Sequence, residues 1–103
     1  MSTYEIIKQA ILNKLCVTFD YDGHKRKMSP HVIGTKNSRS QALFYQYGGG
    51  SNRGLSYDQT KNWRCIFIDE IKNLSINNDR FQSAYNHSRP QSCVDEVDVE
   101  IGF

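Results

Sequence analysis

Apolar residues near the start of the chain recur at three- and four-residue intervals. Ile6, Ile7, Ala10, Ile11 and Leu15 share one side of a helix, and Lys8, Gln9 and Asn13 take the other. The spacing predicts a helix over about 3–14, with Thr3 as N-cap and Glu5 in the first turn. From Cys16 the period changes to two, which predicts a strand over 16–21 followed by a turn at Asp22-Gly23. A second strand over about 25–33 is interrupted by Pro30, which marks an edge or a bend. Positions 34–41 are polar and read as a loop. Strand three, 42–47, is dense in aromatics (Phe44, Tyr45 and Tyr47), and Gly48-Gly49-Gly50 opens a flexible insert running to about Lys61. Strands follow at 62–68 and about 71–76, then a turn at Asn77-Asn78-Asp79 and a short helix through Tyr85. After a loop at 87–92 containing Pro90, Val94, Val97, Val99 and Ile101 mark a final strand with acidic residues on its outer face.

This order predicts one domain over 1–103, mainly β (α+β). It has an N-terminal helix at 3–14, a closed or half-closed β-barrel of five or six short strands at about 16–77, and a helix/strand extension over 79–103. Closure would hide the strand edges that so small a chain must manage. With 38% hydrophobic residues and a mean hydropathy of −0.64, the core must be narrow. Its twelve aromatic residues compensate, since each buries roughly 150–250 Å².

The net charge of +2 is small, but it is unevenly spread. Lys25, Arg26, Lys27, Lys36, Arg39, Arg53, Lys61 and Arg64 crowd the middle against Asp58, whereas the tail holds Asp95, Glu96, Asp98 and Glu100 and no base. A basic middle suits a polar, anionic partner, and a solvated surface gives the same pattern. Three cysteines, Cys16, Cys65 and Cys93, form no CxxC pair, which argues against a zinc site or a disulfide framework. Cys16 and Cys65 fall in apolar strand patterns and read as small buried hydrophobes. No apolar run reaches the roughly 20 residues of a membrane span, and residues 1–15 are too polar for a signal peptide, so the expected location is cytoplasmic.

The segments around Phe19-Asp20-Tyr21, Pro30-His31, Ala42-Leu43-Phe44-Tyr45 and Arg64-Cys65-Ile66-Phe67-Ile68-Asp69-Glu70-Ile71 occur in a familiar order. Over roughly residues 6–81, closing at Phe81, the chain resembles the WYL domain, a bacterial ligand-sensing module built on an Sm-like or SH3-like β-barrel. It reads as a stand-alone, divergent member. Ala42-Leu43 followed by Phe44-Tyr45 stands where the family has Trp-Tyr-Leu, and the arginine of the Arg64 strand is displaced by one position.

The resemblance implies a basic pocket for a nucleotide or single-stranded nucleic acid. Arg64 would supply a planar donor fork that engages phosphate bidentately. In the other reading it pairs with Asp69 or Glu70, or stacks on Trp63. His31, held by the bend, would hydrogen-bond a phosphate or base, or is a partly buried structural histidine. Arg26 matches the basic position that the family has before the bend, and Lys27 shares His31's side if the strand is regular. Tyr45 and Tyr47 on a wet face, with Tyr57, would stack bases, while Phe44 and Trp63 belong to the core. The glycine run lacks the lysine and helix of a phosphate loop. No residue has an identifiable catalytic partner, and His24, His31 and His87 lack metal-ligand spacing. The expected function is therefore non-enzymatic and regulatory, without cofactor or metal. The alternative is a small interaction or inhibitor protein that docks another protein, or a second copy, through its barrel edges and acidic C-terminal strand.

Overall fold

The computed structural model describes residues 1–50, 55, 62–83 and 92–101. Helix α1 spans Thr3–Leu12. Its cap is Ser2 rather than Thr3, the Ser2 hydroxyl accepting from the Glu5 amide at 3.2 Å. The apolar stripe would allow the helix to continue to residue 14, but Lys14 turns left-handed (φ +53°). The Lys14 amide then returns to the Ile11 carbonyl at 3.3 Å and the Leu15 amide to the Ala10 carbonyl at 2.8 Å. This closure satisfies carbonyls that the last turn would otherwise orphan.

Six antiparallel strands follow: β1 (Val17–Tyr21), β2 (His24–Lys36), β3 (Arg39–Gly49), β4 (Trp63–Phe67), β5 (Lys72–Ile76) and β6 (Glu96–Glu100). The sheet order is β4-β3-β2-β1-β5, with β6 also paired to β2. The mainly β, helix-first architecture expected from the sequence is present. The end strands β4 and β5 form no ladder with each other among the described residues, so the sheet is not closed. A 3-10 turn over Ile68–Glu70 leads from one to the other. The Tyr21 hydroxyl also accepts from the Phe67 amide at 3.2 Å, tying the end of β1 to the end of β4.

The β1–β2 turn falls at Asp22 (φ +51°) and Gly23 (φ +77°) as the sequence predicts. Two positive φ values match the right-handed twist of the flanking strands. The stretch 34–41 is not a loop. Asn37 (φ +51°) and Ser38 (φ +64°) make a second two-residue turn of the same kind, and Lys36 pairs with Arg39. The hairpin tip is polar because its residues are only partly covered, which disguises two strand ends as a loop. Likewise β3 continues through Gly48 and Gly49, paired with Lys27 and Arg26, so these glycines belong to the sheet and not to an insert. Gly49 is required there: its φ is +79°, and a side chain would press on the Lys25 backbone.

Strand β2 changes partner along its length. Residues 24–28 pair with β1, residues 32–35 pair with β6, and β3 lies along its other edge. The register breaks between Pro30 and Val32, the bend that the proline predicts. Ile7, Ala10 and Ile11 of α1 pack on Val17, Phe19, Met28, Ile33, Ala42, Phe44, Ile66, Ile68 and Ile71. Phe19 and Phe44 meet edge to face at 5.4 Å.

A second, smaller cluster joins Val32, Cys93 and Val94, with Leu43 against it. Here the cysteine reading is corrected. Cys65 is exposed and is disulfide-bonded to Cys93, their Cα atoms 5.3 Å apart. The two lie 28 residues apart in sequence, a pairing that spacing motifs do not reveal. Cys16 is buried and free, as expected. The short helix predicted after Asp79 is absent over 77–83, where side chains of the sheet hold the backbone, and its remainder lies outside the described residues. No helix among the described residues is long and apolar enough to cross a membrane.

Candidate ligand-binding site

Alternation along the strands divides the predicted site residues between two faces. Ser29 of β2, Tyr45 of β3 and Trp63 of β4 stand in one row, on the face away from α1. His31 meets Trp63 edge to face at 4.7 Å, and Trp63 meets Tyr45 at 5.2 Å.

The segment 77–83 lies across this face. The Asn77 amide donates to Thr18 Oγ1 at 2.8 Å and to the Tyr47 hydroxyl at 3.1 Å. Tyr47 in turn donates to the Asp79 carboxylate at 2.6 Å. The Gln82 amide donates to Ser29 Oγ at 3.0 Å, and Phe81 tilts against the His31 ring at 5.1 Å.

His31 is therefore a buried residue, 2% exposed, with both ring nitrogens engaged. Nδ1 lies 2.8 Å from the Ser29 carbonyl, which can only accept, so Nδ1 carries the proton. Nε2 lies 3.1 Å from the Ser83 hydroxyl, from which a neutral ring accepts. Tyr45 is 5% exposed, which corrects the expected wet face. Trp63 is half-buried instead of core, because it stands on edge strand β4. Phe44 is core, as expected. Tyr47 is half-buried, and burial followed by its bond to Asp79 pushes the phenol well above its ordinary 10.0. Tyr57 lies outside the described residues, as does His87.

Arg26 and Arg64 rise on the helix-side face, since Arg26 pairs with Phe19 and Arg64 with Phe44. Arg64 is half-buried and donates to the Trp63 carbonyl at 3.1 Å. The carboxylates that offered it a structural partner are engaged by Arg39. Arg39 donates to Asp69 at 2.8 and 3.1 Å and to Glu70 at 2.7 Å, and its guanidinium lies 3.7 Å over the Phe67 ring. Lys27 is exposed and pairs with Thr18 in regular register, the break between Lys27 and Met28 falling on β3. Its stem covers Gly48.

Arg26 is the outlier. It is 5% exposed, its guanidinium carbon lies 5.1 Å from the Tyr21 ring centroid, and its Nε has no hydrogen-bond acceptor. No carboxylate lies within ion-pair distance of it among the described residues. Burial lowers its pKa, partly opposed by the charge of Asp22. One step diagonally on the same face stands Gln46, fully buried opposite Met28. The Gln46 Nε2 donates to the carbonyls of Gly48 at 3.0 Å and Gly50 at 2.9 Å. Both partners are acceptors, which fixes the orientation of the amide. Gln46 Oε1 is thereby left without a donor.

A charged donor and a neutral acceptor, both buried and both unanswered, thus sit near the glycine end of β3. The sequence reading named Arg26 and overlooked Gln46. The signal was its parity with Ala42 and Phe44, which places an amide where the strand buries its apolar residues. The other predicted residues are not gathered into one basic face: His31, Tyr45 and Tyr47 are together beneath 77–83, the two arginines are on the opposite side, and Lys27 is in solvent. Among the described residues no cluster of three or more histidine, cysteine or carboxylate groups could hold a metal ion. Comparison with family models, with curated proteins and with solved structures finds no match to this chain.

Proposed function

We propose that this chain is a non-enzymatic, regulatory ligand-binding module that takes an anionic ligand, a nucleotide or a short stretch of single-stranded nucleic acid, with Arg26 at the centre of recognition. One observation carries the reading: an arginine almost wholly buried, without a carboxylate in ion-pair contact among the described residues, and with its Nε left open. A buried charge ordinarily has its partner within the fold, and a donor without one costs about 1–3 kcal/mol, more when charged. Phosphate or carboxylate oxygen is the natural acceptor for a guanidinium. Gln46 Oε1 adds a demand for a donor, which a nucleobase or a ribose hydroxyl meets. Lys25 and Lys27, exposed on either side of Arg26, raise the local positive potential. The order of a helix, four strands, a 3-10 turn and a fifth strand returning to β1 supports the Sm-like, SH3-like barrel of the WYL resemblance. A cytoplasmic regulator fits that family.

The test is fluorescence anisotropy of labelled oligonucleotides, and competition by mononucleotides, at two salt concentrations beside Arg26→Met. Affinity should fall with salt as phosphate counterions are released, and Arg26→Met should abolish binding while Arg64→Met weakens it less. Binding insensitive to Arg26 would refute the reading.

A second reading, docking of a protein or of a second copy, has one feature in its favour. Strand β6 pairs only with β2 among the described residues and presents Val97, 48% exposed, among its carboxylates. A protein that stays monomeric at high concentration and is indifferent to Val97→Lys would discard the self-association form.

A further inference from the structure

The disulfide stands apart from the proposed ligand site and from the main core. Cys65 is the middle residue of edge strand β4 and is exposed. Cys93 lies three residues before β6 and packs with Val32, Val94 and Leu43 in the small satellite cluster. Neither cysteine belongs to the core that α1 covers. From the Cys93 anchor the chain lies along the edge of β2 that β1 leaves uncovered beyond the bend. Thr35 pairs with Glu96, Gly34 with Val97, Ile33 with Val99 and Val32 with Glu100. The Asp95 amide donates to the Thr35 carbonyl at 2.9 Å and the Ile101 amide to the His31 carbonyl at 2.8 Å.

We propose that the Cys65–Cys93 bond is a redox latch whose reduction releases residues 92–101 from β2 while the helix-side core stays folded. A thiolate of a small thiol or dithiol reductant attacks the sulfur of Cys65, the exposed member of the pair. The S–S bond breaks, and Cys93 departs as a thiolate and takes a proton. A second thiolate resolves the mixed disulfide, so two electrons and two protons end on the cysteines and the reductant leaves as its own disulfide. Cys16 does not compete, being fully buried.

Besides the ladder to β2, Val99 and Ile101 rest on the margin of the α1-covered core, where both are only partly buried, and the other side-chain anchors lie at the surface, so the release is local. Asp98 accepts from Tyr4 at 2.7 Å and meets Lys8 at 3.4 Å, and Lys36 Nζ donates to the Ser92 carbonyl at 2.6 Å. Opening frees the edge of β2 from His31 to Thr35, so the latch governs whether that edge is paired within the chain. In a reducing compartment such as the cytoplasm, thiols persist and the released form is the resting one.

The experiment is amide hydrogen exchange on the oxidised protein, on the protein reduced by dithiothreitol, and on Cys65→Ser/Cys93→Ser, which needs no reductant. Exchange at Asp95, Val97, Val99 and Ile101 should rise by on the order of a hundredfold, the scale set by opening a loop of this length. Exchange at Phe19, Phe44 and Ile66 should be unchanged. A parallel titration in glutathione buffers should show the bond reduced at cytoplasmic poise. Three results would each overturn the latch: protection lost throughout the core, protection unchanged at residues 95–101, or a bond that stays oxidised in those buffers.

Discussion

Replacing Arg26 by methionine separates a binding arginine from a structural one. Arg26 is 5% exposed and its buried Nε lacks an acceptor, so the wild-type fold carries an unanswered buried donor costing about 1–3 kcal/mol. Methionine keeps an unbranched stem in the same space and needs no partner. The variant loses the contact of the guanidinium with the Tyr21 ring, a cation–π interaction of about 0.5–2 kcal/mol. The difference favours the variant by about 1 kcal/mol, which for a domain of this size raises Tm by about 4–8 °C. Thermal unfolding followed by circular dichroism, on the same preparations used for anisotropy, reads both properties at once. The expected pairing is a higher Tm with binding lost. Arg39→Met is the contrast, since that arginine holds Asp69 and Glu70 and covers Phe67, and its loss should leave Tm unchanged or slightly lower. A clear fall in Tm for Arg26→Met would mean that the fold already satisfies the guanidinium, and the binding assignment would fail with it.

Two further substitutions probe the C-terminal strand. At Gly34 an added Cβ would collide with the Glu96 carbonyl and with Val94 Cγ1. Gly34→Ala should therefore push β6 off β2 at a cost of about 1–3 kcal/mol, seen as faster amide exchange at 95–101 and a lower urea midpoint. The Tyr4 phenol is pushed up to about 12 by burial and by its bond to Asp98. A value raised in the folded state contributes stability that is whole below the ordinary 10.0 and is lost as pH climbs through about 12. The same bond holds the Asp98 carboxyl below its usual 3.8. Its contribution is whole above that value and is lost as pH falls through the lowered one. Tyr4→Phe should flatten both limbs of stability against pH, and limbs unchanged by it would refute that origin.

The sequence disclosed elements better than it disclosed partners. The period-two runs around Phe19 and Ile66 located β1 and β4 because one face of each joins the common core. The stretch 34–41 misled for a physical reason: at a hairpin tip, backbone pairing continues after side-chain burial has ended, and hydropathy follows only burial. Cys65 misled differently, since an apolar neighbourhood in sequence placed it in the core whereas the edge position of β4 turns it to solvent. At the candidate site, Arg26 was legible from the basic position that the resemblance implies before the bend, but that it lies on the face of Phe19 follows from their pairing, which the sequence alone does not specify. His31 was legible as a residue fixed by Pro30. What fixes its two nitrogens are Ser29 close by and Ser83, which lies 52 positions away.

The partner exchange of β2 sets an order on how this chain can assemble. Helix α1 and strands β1, β2 and β3 are consecutive, and two-residue turns join the three strands, so this part of the fold needs no distant pairing. Strand β5 must come back to β1, bringing Ile76 to Val17, and β6 must come back to β2, bringing Val99 to Ile33. Such distant pairings are slow because the entropy of closing a long loop comes due before any contact rewards it. During synthesis the meander can therefore form while the later strands are still being made, with the edge of β2 beyond Pro30 that β3 does not cover depending on what arrives next. Until β6 arrives, residues 32–35 offer an unpaired edge to any strand in the vicinity.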